Sequence, residues 1–249
     1  MLKRLFPHRF SLQLKTWNPT SYSLVSHPMK YSLIIIFSLF SLHCLAFLPD
    51  PVPRFFRDSV NIRRQELFSK EYEHKKLDES YQKQAMIAMS YFPELKGTRI
   101  EFVRKDIKTT MASRPALGFL FRKKAKRTYR IFIDNNVKNE KGLLLSDVPF
   151  NAQVGIIGHE LAHVVDYKEK TAGGIILTGI GYLFHPFRKK LERKVDEITI
   201  AHGLGHQVKE FSEYVLKDDR VSEKYKKYKR KIYYKPKQLS TLMSGYSIY

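Results

Sequence analysis

The chain has a single cysteine, Cys44, among 249 residues. Without a second thiol an internal disulfide scaffold is excluded, and so are a Cys-rich zinc finger and an iron–sulfur site. Acid is scarce beside base: 24 Asp and Glu face 45 Lys and Arg, for a net charge of +21. That excess predicts attraction to anionic surfaces without saying which. Long apolar runs are nearly absent, so the chain lacks the several spans of a multi-pass membrane protein. What remains is globular in character. Apolar residues make up 43% and charged residues 28%, enough apolar mass for a core and against disorder along the whole chain.

The one long uncharged run is Ser32–Leu48, SLIIIFSLFSLHCLAFL, preceded by Lys30 and ended by Pro49-Asp50-Pro51. Met29-Lys30 suits the start of a secretory signal, and Cys44-Leu45-Ala46 suits its small-residue cleavage site. The run is also close to the lower limit for a membrane span, so an uncleaved anchor is the second reading and a buried helix the third. Residues 1–46 are thus expected to be an extension with a signal peptide or anchor, and 47–249 a folded domain with a basic tail. Five of the 45 basic residues and none of the acidic ones precede Phe47, so cleavage there leaves a net charge of +16. The expected location is exported, in the cell envelope.

Arg54 to Phe92 reads as mostly helical, with Leu77, Tyr81, Ala85, Ala88 and Phe92 at three- and four-residue steps until Pro93 stops it. Strand-like runs follow at Thr98–Arg104, around Ala116–Phe121 and at Tyr129–Asp134. Pro149 opens a helix to about Tyr167. An apolar, Gly-rich stretch spans Ala172–Phe187, and a long helical pattern runs from about Arg188 to Leu216. This order predicts an α+β domain with a small sheet packed on helices.

Within the helix after Pro149 lies His159-Glu160-Leu161-Ala162-His163, an H-E-x-x-H motif. The two histidines fall about 40° apart, one turn along the same face. Both imidazoles can reach one ion, and neutral imidazole suits Zn²⁺. Glu160 between them can take a proton from a water activated by that ion and pass it to a leaving amine. Phe150, Val154, Ile157, Leu161, Val164 and Val165 lie on the opposite side, at about 140–240° from His159. One face can pack while the other lines a cleft. Composition alone gives about 0.02 chance occurrences of the motif in such a chain.

A third ligand is needed, and no downstream histidine has the spacing of the metzincin pattern. The candidates are carboxylates on the last helix. Glu192, Asp196, Thr199 and Gly203 share one stripe, at about 0°, 40°, −20° and 20°. Glu192 is placed to reach the ion, and Asp196, one turn on, to hold the free ring N–H of a ligand histidine.

H-E-L-A-H followed 29 residues beyond its second histidine by E-R-K-V-D resembles the gluzincin arrangement of M48-type metallopeptidases, over roughly Pro93 to Leu216. That resemblance implies a zincin-like α+β fold with a small, mostly antiparallel sheet packed on the H-E-x-x-H helix and further helices. It implies Zn²⁺ held by His159, His163 and Glu192, Glu160 as general base, Asp196 in support, and a protein or peptide substrate. The residue before Asp196 is Val195, where that family usually has a small one.

Lesser features remain. His202 and His206 form another i, i+4 pair, interrupted by glycine; His206 lies some 21 Å (about, by helical rise) along from Glu192 and cannot share its ion. Tyr182, His185 and Tyr167 are candidate donors to the oxyanion, against packing or loop roles. Asp166 reads as a surface or supporting acid. Ala172–Phe187 is too short to span a bilayer; a buried element, a lid and a membrane-dipping segment are its three readings. Ala116–Phe121 or Tyr129–Asp134 can offer a sheet edge to an extended peptide. The tail Lys224–Lys237 interleaves Lys and Tyr, read as a solvated helix face with tyrosines turned inward. For an exported chain, a membrane or an acidic polymer is the expected partner and nucleic acid is not. The sequence therefore supports a zinc endopeptidase first, and second a non-catalytic module of the same fold that binds anionic surfaces.

Overall fold

The computed structural model describes residues 49–56 and 72–249. The expected signal or anchor at residues 32–48 lies outside the described residues, as do residues 57–71 of the expected first helix. Where that helix is described, it is shorter than its periodicity implies. Lys75–Lys76 is a strand, β1, whose Lys75 ammonium donates to the carbonyls of Leu95 and Lys96 at 2.8 Å each. Asp78 then caps a 3₁₀ turn, accepting from the Ser80 amide, and only Gln82–Ser90 is α-helix, α1.

β2 (Arg99–Arg104) alternates as its sequence suggests, with Ile100 and Phe102 buried. β3 is Met111–Pro115 and β4 is Thr128–Ile133. The sheet order is β1-β2-β4-β3. β1 pairs with β2 and β2 with β4 in parallel; only β3 and β4 are antiparallel. The expected, mostly antiparallel sheet is therefore corrected to a mixed, mainly parallel one. The cause is connectivity. The chain leaves β2, descends at the far edge as β3, and returns to insert β4 between them. β4 is the strand with the fewest exposed residues, and the centre of a sheet suits it.

The expected strand at Ala116–Phe121 is a turn instead. Pro115 ends β3, Gly118 takes φ +88°, and Phe119–Phe121 forms a 3₁₀ turn. Left-handed φ is open to glycine and costly elsewhere. Leu117, Leu120 and Phe121, which suggest a strand by their apolar character, face solvent there. β4 is interior, so it offers no edge; the edges are β1 and β3.

α2 (Phe150–Glu169) runs through the middle of the domain, with every residue from Asn151 to Val164 buried. Its buried polar side chains are satisfied. Asn151 accepts from the Phe55 amide at 2.8 Å and donates to Glu210 at 2.6 Å, and Gln153 donates to the Leu145 carbonyl at 2.8 Å. α3 (Ala172–Gly181) follows, capped by Thr171. The long helix expected from Arg188 to Leu216 is two, α4 (His185–Ala201) and α5 (Gly205–Lys217). Gly203, at φ +87°, breaks them apart. The basic tail folds as α6 (Glu223–Ile232) and α7 (Pro236–Met243), with Tyr225 and Ile232 turned inward. Ile200, Val208, Leu239 and Met243 close a smaller second core. No helix among the described residues is long and apolar enough to cross a membrane.

α2 and α5 meet at a glycine. A Cβ on Gly155 would stand 2.2 Å from the Gln207 carbonyl oxygen, and backbone cannot yield as a side-chain tip can. Gly155→Ala is expected to lower unfolding free energy by about 3 kcal/mol. Gly179→Ala, with no atom within 4 Å of its Cβ, should be neutral or stabilising by up to about 1 kcal/mol. Urea unfolding of the two variants beside the wild type checks both.

Candidate metal centre

The helical arithmetic of α2 places His159 and His163 one turn apart, and their rings meet edge-on at 5.0 Å. α4 lies against them. Glu192 Oε2 is 3.1 Å from His159 Nε2 and 3.3 Å from His163 Nε2. Asp196, one turn along α4, places Oδ1 2.9 Å from His159 Nδ1. The face of α2 expected to line a cleft is thus roofed by α4, and all four side chains are buried.

Asp196 as a carboxylate can only accept, so His159 Nδ1 carries a proton and Nε2 is the atom aimed at Glu192. Burial alone would lower the His159 pKa. Asp196 and Glu192 outweigh it and push it up to about 10. Burial would likewise raise Glu192, but His163 and His159 beside it hold it well below the usual carboxylate range. Two imidazole nitrogens and one carboxylate oxygen thus converge on a point that requires positive charge. The ligand atoms of His159, His163 and Glu192 lie within 4.8 Å of one another, and this group could hold a metal ion. Among the described residues it is the only such group of His, Cys, Asp or Glu.

The surroundings orient these side chains. Tyr182, at the C-terminal end of α3, donates its hydroxyl to Glu192 Oε1 at 2.5 Å. Arg188 fixes that tyrosine, donating to its carbonyl at 2.8 Å with the guanidinium 4.9 Å from the ring centre. Tyr167 stacks on His163 at 6.2 Å, and the Tyr233 ring is 5.7 Å from His159. Glu160 points to the sheet: Ser113 Oγ on β3 lies 2.6 Å from its Oε2 and 2.9 Å from its carbonyl oxygen. With one hydroxyl proton, Ser113 donates to one of them at a time.

Of the three candidate oxyanion donors, Tyr182 and Tyr167 stand at the cluster. His185 does not join it by any hydrogen bond among the described residues, and its Nε2 is buried without a partner. Asp166 is not brought to the cluster. It pairs with Lys170 and, at 2.8 Å, with Lys194, and the two lysines hold its pKa down against the effect of burial. His202 and His206 do not form a second centre. His202 bonds to Glu94 at 2.8 Å and stacks on Phe92, while His206 meets the Tyr249 ring.

Ser113, Tyr233 and Lys229 carry no signal in the sequence that singles them out. Met-Ala-Ser-Arg-Pro has no β-branched residue to announce a strand. Lys229 sits 3.9 Å from the Tyr233 ring centre. Burial would lower its pKa, but the tyrosines around it and the charges of Glu192 and Asp196 raise it instead.

No protein family, curated protein or solved structure matches this chain.

The raised His159 pKa has two consequences. Relative to its ordinary value of 6.5, the stabilisation from this protonated histidine is fully present below about pH 6.5 and is lost as pH rises through about 10. An incoming ion must also displace that proton. Affinity for a titrated divalent cation is expected to rise about tenfold per pH unit between pH 6 and 8. Calorimetry at several pH values reads it, and an affinity independent of pH would show that His159 is already deprotonated.

Proposed function

We propose that this chain is a zinc-dependent endopeptidase of the cell envelope, similar in mechanism to M48-type gluzincins. The observation that carries the reading is the meeting of Glu192 Oε2 with the Nε2 atoms of both motif histidines. Nitrogen and oxygen donors in a His₂Glu set suit zinc in a catalytic site, where three protein ligands leave a position open. Bound there, zinc would supply Lewis acidity toward a water and the scissile carbonyl.

This chain's own residues would do the rest. His159 and His163 present lone pairs from one rigid helix. Asp196 fixes the His159 tautomer and orientation. Tyr182 holds the second oxygen of Glu192 and so limits how that carboxylate turns. Glu160 would take a proton from the attacking water and deliver it to the leaving amine. Ser113 keeps one Glu160 oxygen in place from the neighbouring strand. Because β3 is a sheet edge and carries Ser113, an extended peptide pairing with it would run close to Glu160.

A carboxylate at position 160 also argues against a non-catalytic module, since a metal site built only for stability needs no base there. Glu160→Gln keeps the shape of the side chain and removes the base. It is expected to retain zinc at one ion per chain and to lose at least about 10³-fold in hydrolysis of an unfolded protein substrate. Zinc content beside peptide release, on both proteins, checks this. Wild type that binds zinc and cleaves nothing would favour the non-catalytic reading.

A further inference from the structure

Most of the exposed large apolar side chains among the described residues lie in two stretches of the chain. Leu177, Ile180, Leu183 and Phe184 project from α3 and the turn after it, while Ile175 and Thr178 on its other side are buried. Leu117 and Phe121, on the turn after β3, are 93% and 92% exposed. The connection that carries them is pinned to the start of α3. Lys124 donates to the Glu169 carbonyl at 2.9 Å and Arg127 to the Lys170 carbonyl at 2.8 Å, immediately before the Thr171 cap. Both apolar groups lie in stretches without acid. Eight Lys and Arg and no Asp or Glu stand between Asp106 and Asp134, and four and none between Glu169 and Glu192.

We infer that α3 and the 116–124 turn form a docking surface for an anionic lipid bilayer. Apolar projections in stretches rich in lysine and arginine match an acyl boundary under anionic headgroups. A second copy of the chain fits less well, because two such faces would oppose mostly like charges, with Glu169 the acid at their junction. α3 is ten residues, about 15 Å by helical rise, half of a bilayer's hydrocarbon core. It can lie in the interface and cannot span. Tyr182 ends α3 and bonds to Glu192, so docking would set the ligand cluster beside the membrane surface. The surface stands on its own and does not depend on the hydrolase reading.

The test is sedimentation of the full chain with phosphatidylcholine vesicles, with and without phosphatidylglycerol. Wild type is expected to bind the anionic vesicles and to release at high salt. The double variant Leu177→Asp/Phe184→Asp should bind at least about tenfold more weakly with an unchanged melting temperature, since both side chains are in solvent. A fluorescent reporter, Trp17→Phe/Phe184→Trp, should shift to the blue with anionic vesicles. Variants that bind as tightly as wild type, or a reporter that does not shift, would overturn the proposal and leave any affinity to residues 32–48. A wild-type dimer dissolved by the double variant would overturn it in favour of a second copy.

Discussion

Two imidazole nitrogens and a carboxylate oxygen face one another inside this protein, and the arrangement is stable only with positive charge among them. That constraint organises the structure around it. α2 must be rigid and central to hold His159 and His163 one turn apart. α4 must lie across it, close enough for Glu192 and Asp196 to reach both rings. Gly155, where α5 crosses α2 in backbone contact, lets the helices come this near. Polar side chains buried along α2 each have a partner, so the helix can sit in the core without stranding donors or acceptors.

The charge of the cluster is balanced locally rather than by the excess of lysine over the whole chain. Asp196 is committed to His159, and Tyr182 donates to Glu192. Lys229 lies behind them against aromatic rings. Asp166, close in sequence to His163, is held by two lysines instead. Buried carboxylates here are few and individually partnered, as the cost of an isolated charge in the interior requires.

The legible part of the site was the part carried by helix geometry. A period of 3.6 residues is local, so the shared face of His159 and His163 and the stripe from Glu192 to Asp196 could be worked out from spacing alone. The sheet was less legible. The strand at Met111–Pro115 has no β-forming composition, and it is held by pairing with β4, a non-local cause. Leu117 and Phe121 suggest a strand because apolar letters do not say which way they face. Gly203 divides α4 from α5 because the fold requires a left-handed residue there, whereas the sequence continued a helical pattern through it. Ser113 was out of reach for the same reason as its strand: only the sheet brings it to Glu160.

The apolar Ala172–Phe187 stretch shows how placement changes a reading. A buried element was one expectation, yet only Ile175 and Thr178 of α3 turn inward. What remains outside is apolar and flanked by base, next to the ligand cluster. Tyr182 joins the buried His159, His163 and Glu192 group to the exposed apolar side of α3.

The most direct test of the centre is diffraction at the zinc absorption edge from crystals of the full chain grown with zinc. One strong anomalous peak is expected about 2.0–2.1 Å from Nε2 of His159 and of His163 and about 2.0–2.2 Å from a Glu192 oxygen. Crystals saturated with zinc that show no peak there, or a peak at His202 or His206 in its place, would contradict it.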